Sequence, residues 1–139
     1  NQLGMRDVAA ELNKEWKGTS RKAYFISEYY DPEGLKQWFA RRGVTERSEG
    51  IHDDITYTTM LLAIDPTYVR FAQRKDAHRL SINGISLLPL ERMQQLGMEA
   101  INHRVQVTVE AIRSRLRADG LVIDMPLAPD ALRRYRSEQ

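Results

Sequence analysis

The start of the chain places apolar side chains with the period of a helix. Met5, Val8, Ala9, Leu12 and Trp16 share one stripe, and most of the residues between them are polar. This period predicts an amphipathic helix that begins almost at the first residue. Because a domain seldom starts so abruptly, we expect further sequence to precede this segment in the complete protein.

The strongest helical pattern lies in the second half of the chain. It predicts a long helix over residues 89–118. The apolar stripe of that helix consists of Met98, Ile101, Val105, Val109, Ile112 and Leu116. The segment before it, residues 69–80, mixes Arg, Lys, Gln and Asp, and is expected to be exposed.

Two shorter helices are predicted from the residues at their ends. The first follows Asp31, a good N-cap residue, has Pro32 at its first position, and ends before Gly43. The second is capped by Asp53 or Asp54, continues through the mainly apolar run TMLLAI and ends at an Asp-Pro pair.

One clear strand is predicted, over Ala23–Tyr30, because that run is rich in aromatic and apolar residues. Asn83 and Gly84 predict a turn between two short extended pieces. Helices alternating with extended segments indicate an α/β protein. One strand cannot build a parallel core, so the other strands are either weakly marked or lie outside this sequence. Glu28, near the end of the strand, is a candidate ligand-binding residue.

Composition narrows the function classes only slightly. Lys plus Arg number 21 and Asp plus Glu 19, a formal net charge of +2, which does not indicate a nucleic-acid-binding surface. No apolar run reaches about 18 residues, so no membrane span is predicted. The absence of cysteine excludes disulfides and thiolate ligands from this sequence, and fits either a cytoplasmic or a periplasmic location.

The stretch GIHDDITYTTMLLAIDPTYV contains a His-Asp-Asp sequence at His52, Asp53 and Asp54. Aspartates at a helix N-terminus accept main-chain N–H bonds and stabilise the helix by about 1 kcal/mol. The same side chains are also metal ligands and acid–base groups of hydrolases. Asp54, Tyr57 and Thr58 are spaced i, i+3 and i+4, which predicts one shared helix face. The residues alone leave both interpretations open.

The stretch from His52 to Val69 resembles a motif of the creatininase (creatinine amidohydrolase) family. Members commonly carry H-[AG]-G-x-x-E-T-S, then an apolar helix and a P-x-L-V ending, and HDDITYTTMLLAIDPTYV aligns with this pattern without a gap. His52 takes the position of the motif histidine, and Thr58 and Thr59 that of its T-S pair. The opening NQLGMRDVAAELNKEW resembles the helix after the family's N-G-H-G-G-N-type loop, and INGIS resembles its later glycine-containing loop.

The resemblance implies a layered α/β/α fold with a mainly parallel sheet, of which this chain would cover about the C-terminal half. Residues 1–118 would belong to that domain, and residues 119–139 would form a Pro- and Arg-containing tail. The implied activity is hydrolysis of C–N bonds in amides or cyclic amides with a divalent metal, zinc or manganese. The implied partners are a small-molecule substrate, the missing N-terminal segment and further copies, commonly in a hexamer, with neither nucleic acid nor a membrane.

The resemblance also implies residue roles. His52 would donate a proton to the leaving nitrogen after a metal-bound hydroxide attacks the carbonyl carbon. The motif glutamate is replaced by Tyr57, which would donate a hydrogen bond to the oxyanion instead. Asp54, one turn earlier, would replace the lost carboxylate as a metal ligand, with Asp53 beside it.

Thr58 and Glu28 complete the predicted site as substrate-binding residues. The departure at Tyr57 supports a second interpretation, in which the chain is a metal-free relative that serves as a binding or assembly module. A third interpretation is an unrelated small helical domain in which His52 and the two aspartates only form a helix cap.

Overall fold

A computed structural model describes residues 2–47 and 54–121. Most of these residues are helical, and their strands form a two-stranded antiparallel sheet. The helices are α1 Gln2–Glu15, α2 Pro32–Ala40, α3 Ile55–Ile64, α4 Phe71–Asp76 and α5 Leu90–Ala118. The strands are β1 Ser81–Ile82 and β2 Ile85–Ser86, and 3₁₀ turns cover Ser27–Tyr30 and Pro66–Val69. None of the described helices is both long enough and apolar enough to cross a membrane.

The predicted layered α/β/α fold with a mainly parallel sheet is wrong. Where the pattern of Ala23–Tyr30 predicted a buried strand, the chain is irregular as far as Ile26 and then forms the 3₁₀ turn Ser27–Tyr30. Within the described ranges, the only strand pairing is the antiparallel contact of β1 with β2. The chain is therefore a mainly helical protein as far as the structure describes it.

A side chain takes the place of a neighbouring strand at Ala23. The Oδ1 atom of Asn13 accepts the N–H of Ala23 at 2.9 Å, and its Nδ2 atom donates to the carbonyl oxygen of Ala23 at 2.8 Å. Both main-chain polar groups of Ala23 are thus satisfied without a sheet. The aromatic residues of this run are typical of strands because they fit a pleated, half-buried surface. A strand also needs another strand with which to pair.

The chain forms two compact units, a middle unit over Tyr29–Val105 and a terminal unit that includes residues 2–28 and 106–121. The middle unit has an apolar core drawn from α2, α3, the first half of α5 and two loop residues, and the hairpin of β1 and β2 packs against it. Its buried residues are Leu35, Trp38, Phe39, Val44, Ile55, Met60, Leu62, Leu87, Met93, Leu96 and Ala100.

In the terminal unit, the predicted amphipathic helix is present as α1, and it has no buried residue. Side-chain bonds connect residues 22–28 of this unit to the last turn of α5 and to the residue that follows it. Arg115 forms an ion pair with Glu28, and Asp119 accepts hydrogen bonds from Lys22 and from the phenol of Tyr24.

Helix α2 begins and ends as the sequence predicts. Asp31 has extended backbone angles and its Oδ1 atom accepts the N–H of Gly34 at 2.9 Å, so the N-cap prediction is confirmed. Gly43 follows the helix with φ of 76°, a left-handed conformation that glycine adopts without steric cost. This short helix places Trp38 and Phe39 in the core.

A stack of side chains lies at the end of α2. The imidazole of His103 stacks on the indole of Trp38, with 5.4 Å between ring centroids and 17° between planes. The guanidinium carbon of Arg42 lies 3.5 Å from the centroid of the same indole. Partial burial and the nearby charges of Arg42 and Arg41 lower the pKa of His103.

The β-hairpin turns at Asn83 and Gly84, which have φ of 49° and 84°. Two consecutive left-handed residues in a two-residue loop make a type I′ turn, and the predicted turn is confirmed. The Oε1 atom of Glu46 accepts from the side-chain amide of Asn83 at 2.9 Å and from the N–H of Ile55 at 2.7 Å. One carboxylate therefore fixes the hairpin to the first residue of α3.

Helices α3 and α5 approach each other at main-chain distance. A Cβ atom added to Gly97 would lie 1.9 Å from the carbonyl oxygen of Thr59. The side-chain amide of Gln94 donates to the carbonyl oxygen of Leu62 at 3.1 Å, one turn later in α3 and one turn earlier in α5. Only glycine fits at position 97, and this contact fixes how α5 lies on α3.

Candidate functional site

The site that the sequence predicts lies at the N-terminus of α3. Asp54 is the N-cap residue, with φ of −82° and ψ of 165°, and its Oδ1 atom accepts the N–H of Tyr57 at 2.8 Å. No described residue donates to the Oδ2 atom of Asp54. Asp54 therefore caps the helix and keeps a second carboxylate oxygen for another partner.

His52 and Asp53 lie outside the described residues. The structure therefore tests neither the predicted proton donor nor the predicted second carboxylate. Their roles stay predictions from the sequence motif.

Tyr57 and Thr58 point to different surroundings although they are adjacent in α3. Tyr57 is 43% exposed, and no described residue hydrogen-bonds to its phenol oxygen. Thr58 is buried, and its hydroxyl donates to the carbonyl oxygen of Asp54 at 2.7 Å. Tyr57 is thus accessible to a ligand from solvent, whereas the Thr58 hydroxyl is bonded within its own helix.

Arg104 joins Tyr57 to a second exposed tyrosine. Its guanidinium carbon lies 5.7 Å from the ring centroid of Tyr57 and 4.7 Å from that of Tyr29. Its Nη2 and Nε atoms donate to the carbonyl oxygen of Tyr29, at 2.8 and 3.3 Å. A cation beside two aromatic rings is held by electrostatic attraction to the rings as well as by these bonds. We call Tyr29, Tyr57 and Arg104 the tyrosine–arginine cluster.

The sequence did not indicate this cluster. Arg104 is one of several arginines on α5, and no periodic pattern marks it apart from the others. Only the adjacency of two tyrosines before Asp31 hinted that an aromatic surface lies there. The contact is made by residues far apart in sequence, and spacing rules do not report such contacts.

Glu28 is engaged in the terminal unit. Its two carboxylate oxygens accept from the guanidinium of Arg115, at 3.1 and 2.8 Å. These hydrogen bonds hold the pKa of Glu28 below its ordinary value, so the side chain is a carboxylate at neutral pH. A substrate group that bound Glu28 would have to compete with this ion pair.

A concavity of about 220 Å³ lies in the middle unit, beside the first residues of α3. Apolar side chains, including Phe39, Val44 and Ile55, form one part of its wall. Polar side chains, including Lys36 and Glu46, form another part. Its size fits a small molecule rather than a drug-sized ligand.

A metal ion needs several ligands, usually three or four from histidine, cysteine or carboxylate side chains. Among residues 2–47 and 54–121, no three such side chains come together in a group that could hold one. Near the start of α3, these ranges offer two carboxylates, those of Asp54 and Glu46. The described residues by themselves do not fit a metal.

Comparison with known proteins gives no relative from which a role could be transferred. No protein-family model, no curated protein and no solved structure matches this chain.

Proposed function

We propose that this chain is part of a hydrolase that cleaves C–N bonds in small amides, with its reactive residues at the start of α3. One structural observation carries the proposal. At the N-terminus of α3, Asp54 presents a carboxylate oxygen to which no described residue donates, and Tyr57 presents an exposed phenol. The motif resemblance at His52 supplies the reaction class.

Amide hydrolysis needs a group that stabilises negative charge on the carbonyl oxygen. The Tyr57 phenol can donate a hydrogen bond to that oxygen because it is exposed and its donor is uncommitted among the described residues. Arg104 adds positive charge near the same ring. Both effects favour the oxyanion over the neutral amide.

The reaction also needs a proton for the leaving nitrogen. In the proposal His52, two positions before Asp54 in sequence, is the donor, because imidazole titrates near neutral pH. Asp54 at the helix N-terminus carries negative charge that would favour the protonated form of a nearby imidazole. Hydroxide adds to the carbonyl carbon, and the C–N bond breaks as the nitrogen takes the proton from His52, which leaves a carboxylic acid and an amine.

Zinc or manganese remains a prediction from the family resemblance. Since the described residues do not fit a metal by themselves, we assign no step to one. Asp54 could contribute a ligand through Oδ2, and the other ligands would have to come from other residues.

The proposal is tested by measuring hydrolysis of a panel of cyclic and linear amides, with product amine as the readout. His52→Ala should reduce turnover by about 10²-fold or more, and Tyr57→Phe by about 10-fold or more, as expected for lost proton transfer and a lost oxyanion donor. Tyr68→Phe, another exposed tyrosine, is the control and should leave turnover unchanged. Unchanged turnover in His52→Ala would refute the mechanism.

A metal-free binding module is the second candidate, and the missing ligand group among the described residues favours it. Elemental analysis of the purified protein separates the two. Stoichiometric zinc or manganese that is lost in Asp54→Asn supports the hydrolase. A metal-free protein with no activity on any amide of the panel supports the binding module.

A further inference from the structure

The 3₁₀ turn Pro66–Val69 and helix α4 border an open cleft of about 430 Å³, which the hydrolase proposal does not use. We call it the arginine cleft. Its lining residues are Tyr68, Val69, Arg70, Gln73, Arg74, Ala77 and Arg79. This volume lies within the range of small-molecule sites, about 300 to 1,000 Å³.

The lining of the arginine cleft carries charge of one sign. Arg70, Arg74 and Arg79 line it, and no carboxylate does. Within the described ranges, none of these three arginines forms an ion pair. The cleft therefore carries three positive charges that form no ion pair with a described carboxylate.

Hydrogen bonds to the main chain fix the guanidinium of Arg74 and the backbone of Arg70 and Arg79. The Nε atom of Arg74 donates to the carbonyl oxygen of Val69 at 3.0 Å, which orients the guanidinium beside the 3₁₀ turn. The N–H of Arg79 donates to the carbonyl oxygen of Arg74 at 2.8 Å. Arg70 is in a left-handed conformation, with φ of 52°, and its N–H donates to the carbonyl oxygen of Thr67 at 2.9 Å. The charge of Arg74 is thus positioned before a ligand binds, which lowers the entropy lost on binding.

The chemistry of the lining defines the ligand class. Guanidinium groups match the oxygens of phosphate through paired hydrogen bonds. The ring of Tyr68 is 63% exposed and offers a flat face on which a planar group can stack. We propose that the arginine cleft binds a small phosphate ester with a planar ring, of the size of a nucleotide.

The test is isothermal titration of the protein with adenosine monophosphate, adenosine triphosphate, inorganic pyrophosphate and citrate. We expect the two nucleotides to bind, with affinity that falls as sodium chloride is added, because the contacts are ionic. Pyrophosphate should bind more weakly than adenosine triphosphate, since it has no ring for Tyr68. Citrate bound as tightly as the nucleotides would overturn the assignment to phosphate.

Variants of the lining complete the test. The pair Arg70→Gln and Arg79→Gln, both at exposed positions, should weaken nucleotide binding by about tenfold or more, as expected for lost charged hydrogen bonds. Tyr68→Ala should weaken nucleotide binding but leave pyrophosphate binding unchanged. Arg92→Gln, an exposed arginine of α5 outside the cleft, is the matched control.

Three results would refute the proposal. The first is that none of the nucleotides binds, and the second is that the Arg70 and Arg79 variants bind them as well as the unchanged protein. The third is tighter binding of a single-stranded oligonucleotide than of any mononucleotide, which would identify a nucleic-acid surface instead. Circular dichroism of each variant establishes that the fold is retained.

Discussion

Arg115 holds the carboxylate of Glu28 with both of its terminal nitrogens. The Nη1 atom donates to Oε1 at 3.1 Å and Nη2 donates to Oε2 at 2.8 Å. Two parallel bonds restrict the ion pair more than a single contact would. The pair joins the 3₁₀ turn at Ser27–Tyr30 to the last turn of α5 within the terminal unit.

The first prediction concerns this ion pair and pH. The pKa of Glu28 is lower in the folded protein than in the unfolded chain, chiefly because of hydrogen bonds from Arg115. Stability from the pair is therefore present above the unfolded pKa of about 4.5 and is lost as pH falls below it. Glu28→Gln should lack the stability that the ion pair contributes. Because both side chains of the ion pair are partly exposed, we expect Glu28→Gln to lower the free energy of unfolding in urea at neutral pH by at most about 1 kcal/mol.

The measurement compares Glu28→Gln with the unchanged protein at neutral pH and at about pH 3. The difference in free energy of unfolding should shrink at the lower pH. A difference that stays the same at both values would show that the charge of Glu28 does not contribute.

The second prediction concerns His103. Its folded pKa is lowered, first by partial burial and then by the charges of Arg42 and Arg41. The unfolded chain therefore binds a proton more readily, and stability should fall as pH drops below about 6.5. His103→Phe keeps a ring against Trp38 and removes this titration. Urea unfolding at about pH 7.5 and about pH 5 should show a smaller pH effect in the variant, and an equal effect in both proteins would contradict the assignment.

The third prediction separates the two roles of Asp54. Asparagine is as good an N-cap as aspartate, whereas alanine cannot accept the N–H of Tyr57. Asp54→Ala should reduce the free energy of unfolding by about 1 kcal/mol, and Asp54→Asn by a few tenths at most. If Asp54→Asn nevertheless abolishes amide hydrolysis, the carboxylate acts in the reaction. Equal destabilisation by both variants would show that charge, not capping, dominates.

The fourth prediction concerns Gly97. An added methyl group would overlap the main chain of Thr59, which cannot move without displacing α3. Gly97→Ala should lower the free energy of unfolding by about 3 kcal/mol or more, the upper end of the range for overpacked cores. Gly4→Ala is the control, because no atom lies within 4 Å of the added methyl group in α1, and alanine is the better helix former. A Gly97→Ala protein as stable as the unchanged chain would contradict this packing.

Local features of the fold were predictable from sequence, because each depends on a few neighbouring residues. Asp31 and Gly43 predicted the ends of α2, and Asn83-Gly84 predicted the hairpin turn. Helix α4 was not predicted, since six residues are too few to show a period. The tyrosine–arginine cluster depends on Arg104 meeting Tyr29 and Tyr57 across the middle unit, and no local rule describes that contact.

The wrong fold class has the same origin. Tyr24, Phe25 and Tyr30 have the composition of a strand, but composition does not reveal whether another strand is available to pair with it. At the predicted site, the spacing of Asp54 and Tyr57 placed both at the start of α3 correctly. The same spacing did not show that the Thr58 hydroxyl would bond back to Asp54.

The bond pair between Asn13 and Ala23 has a mechanical consequence. A side-chain amide imitates one rung of a β-ladder, but it cannot extend the ladder to the next residue. These two hydrogen bonds therefore attach the main chain of residue 23 to α1. The amide hydrogen of Ala23 should exchange with solvent only when its hydrogen bond to the Asn13 side chain breaks. Its exchange rate therefore measures how often that hydrogen bond opens.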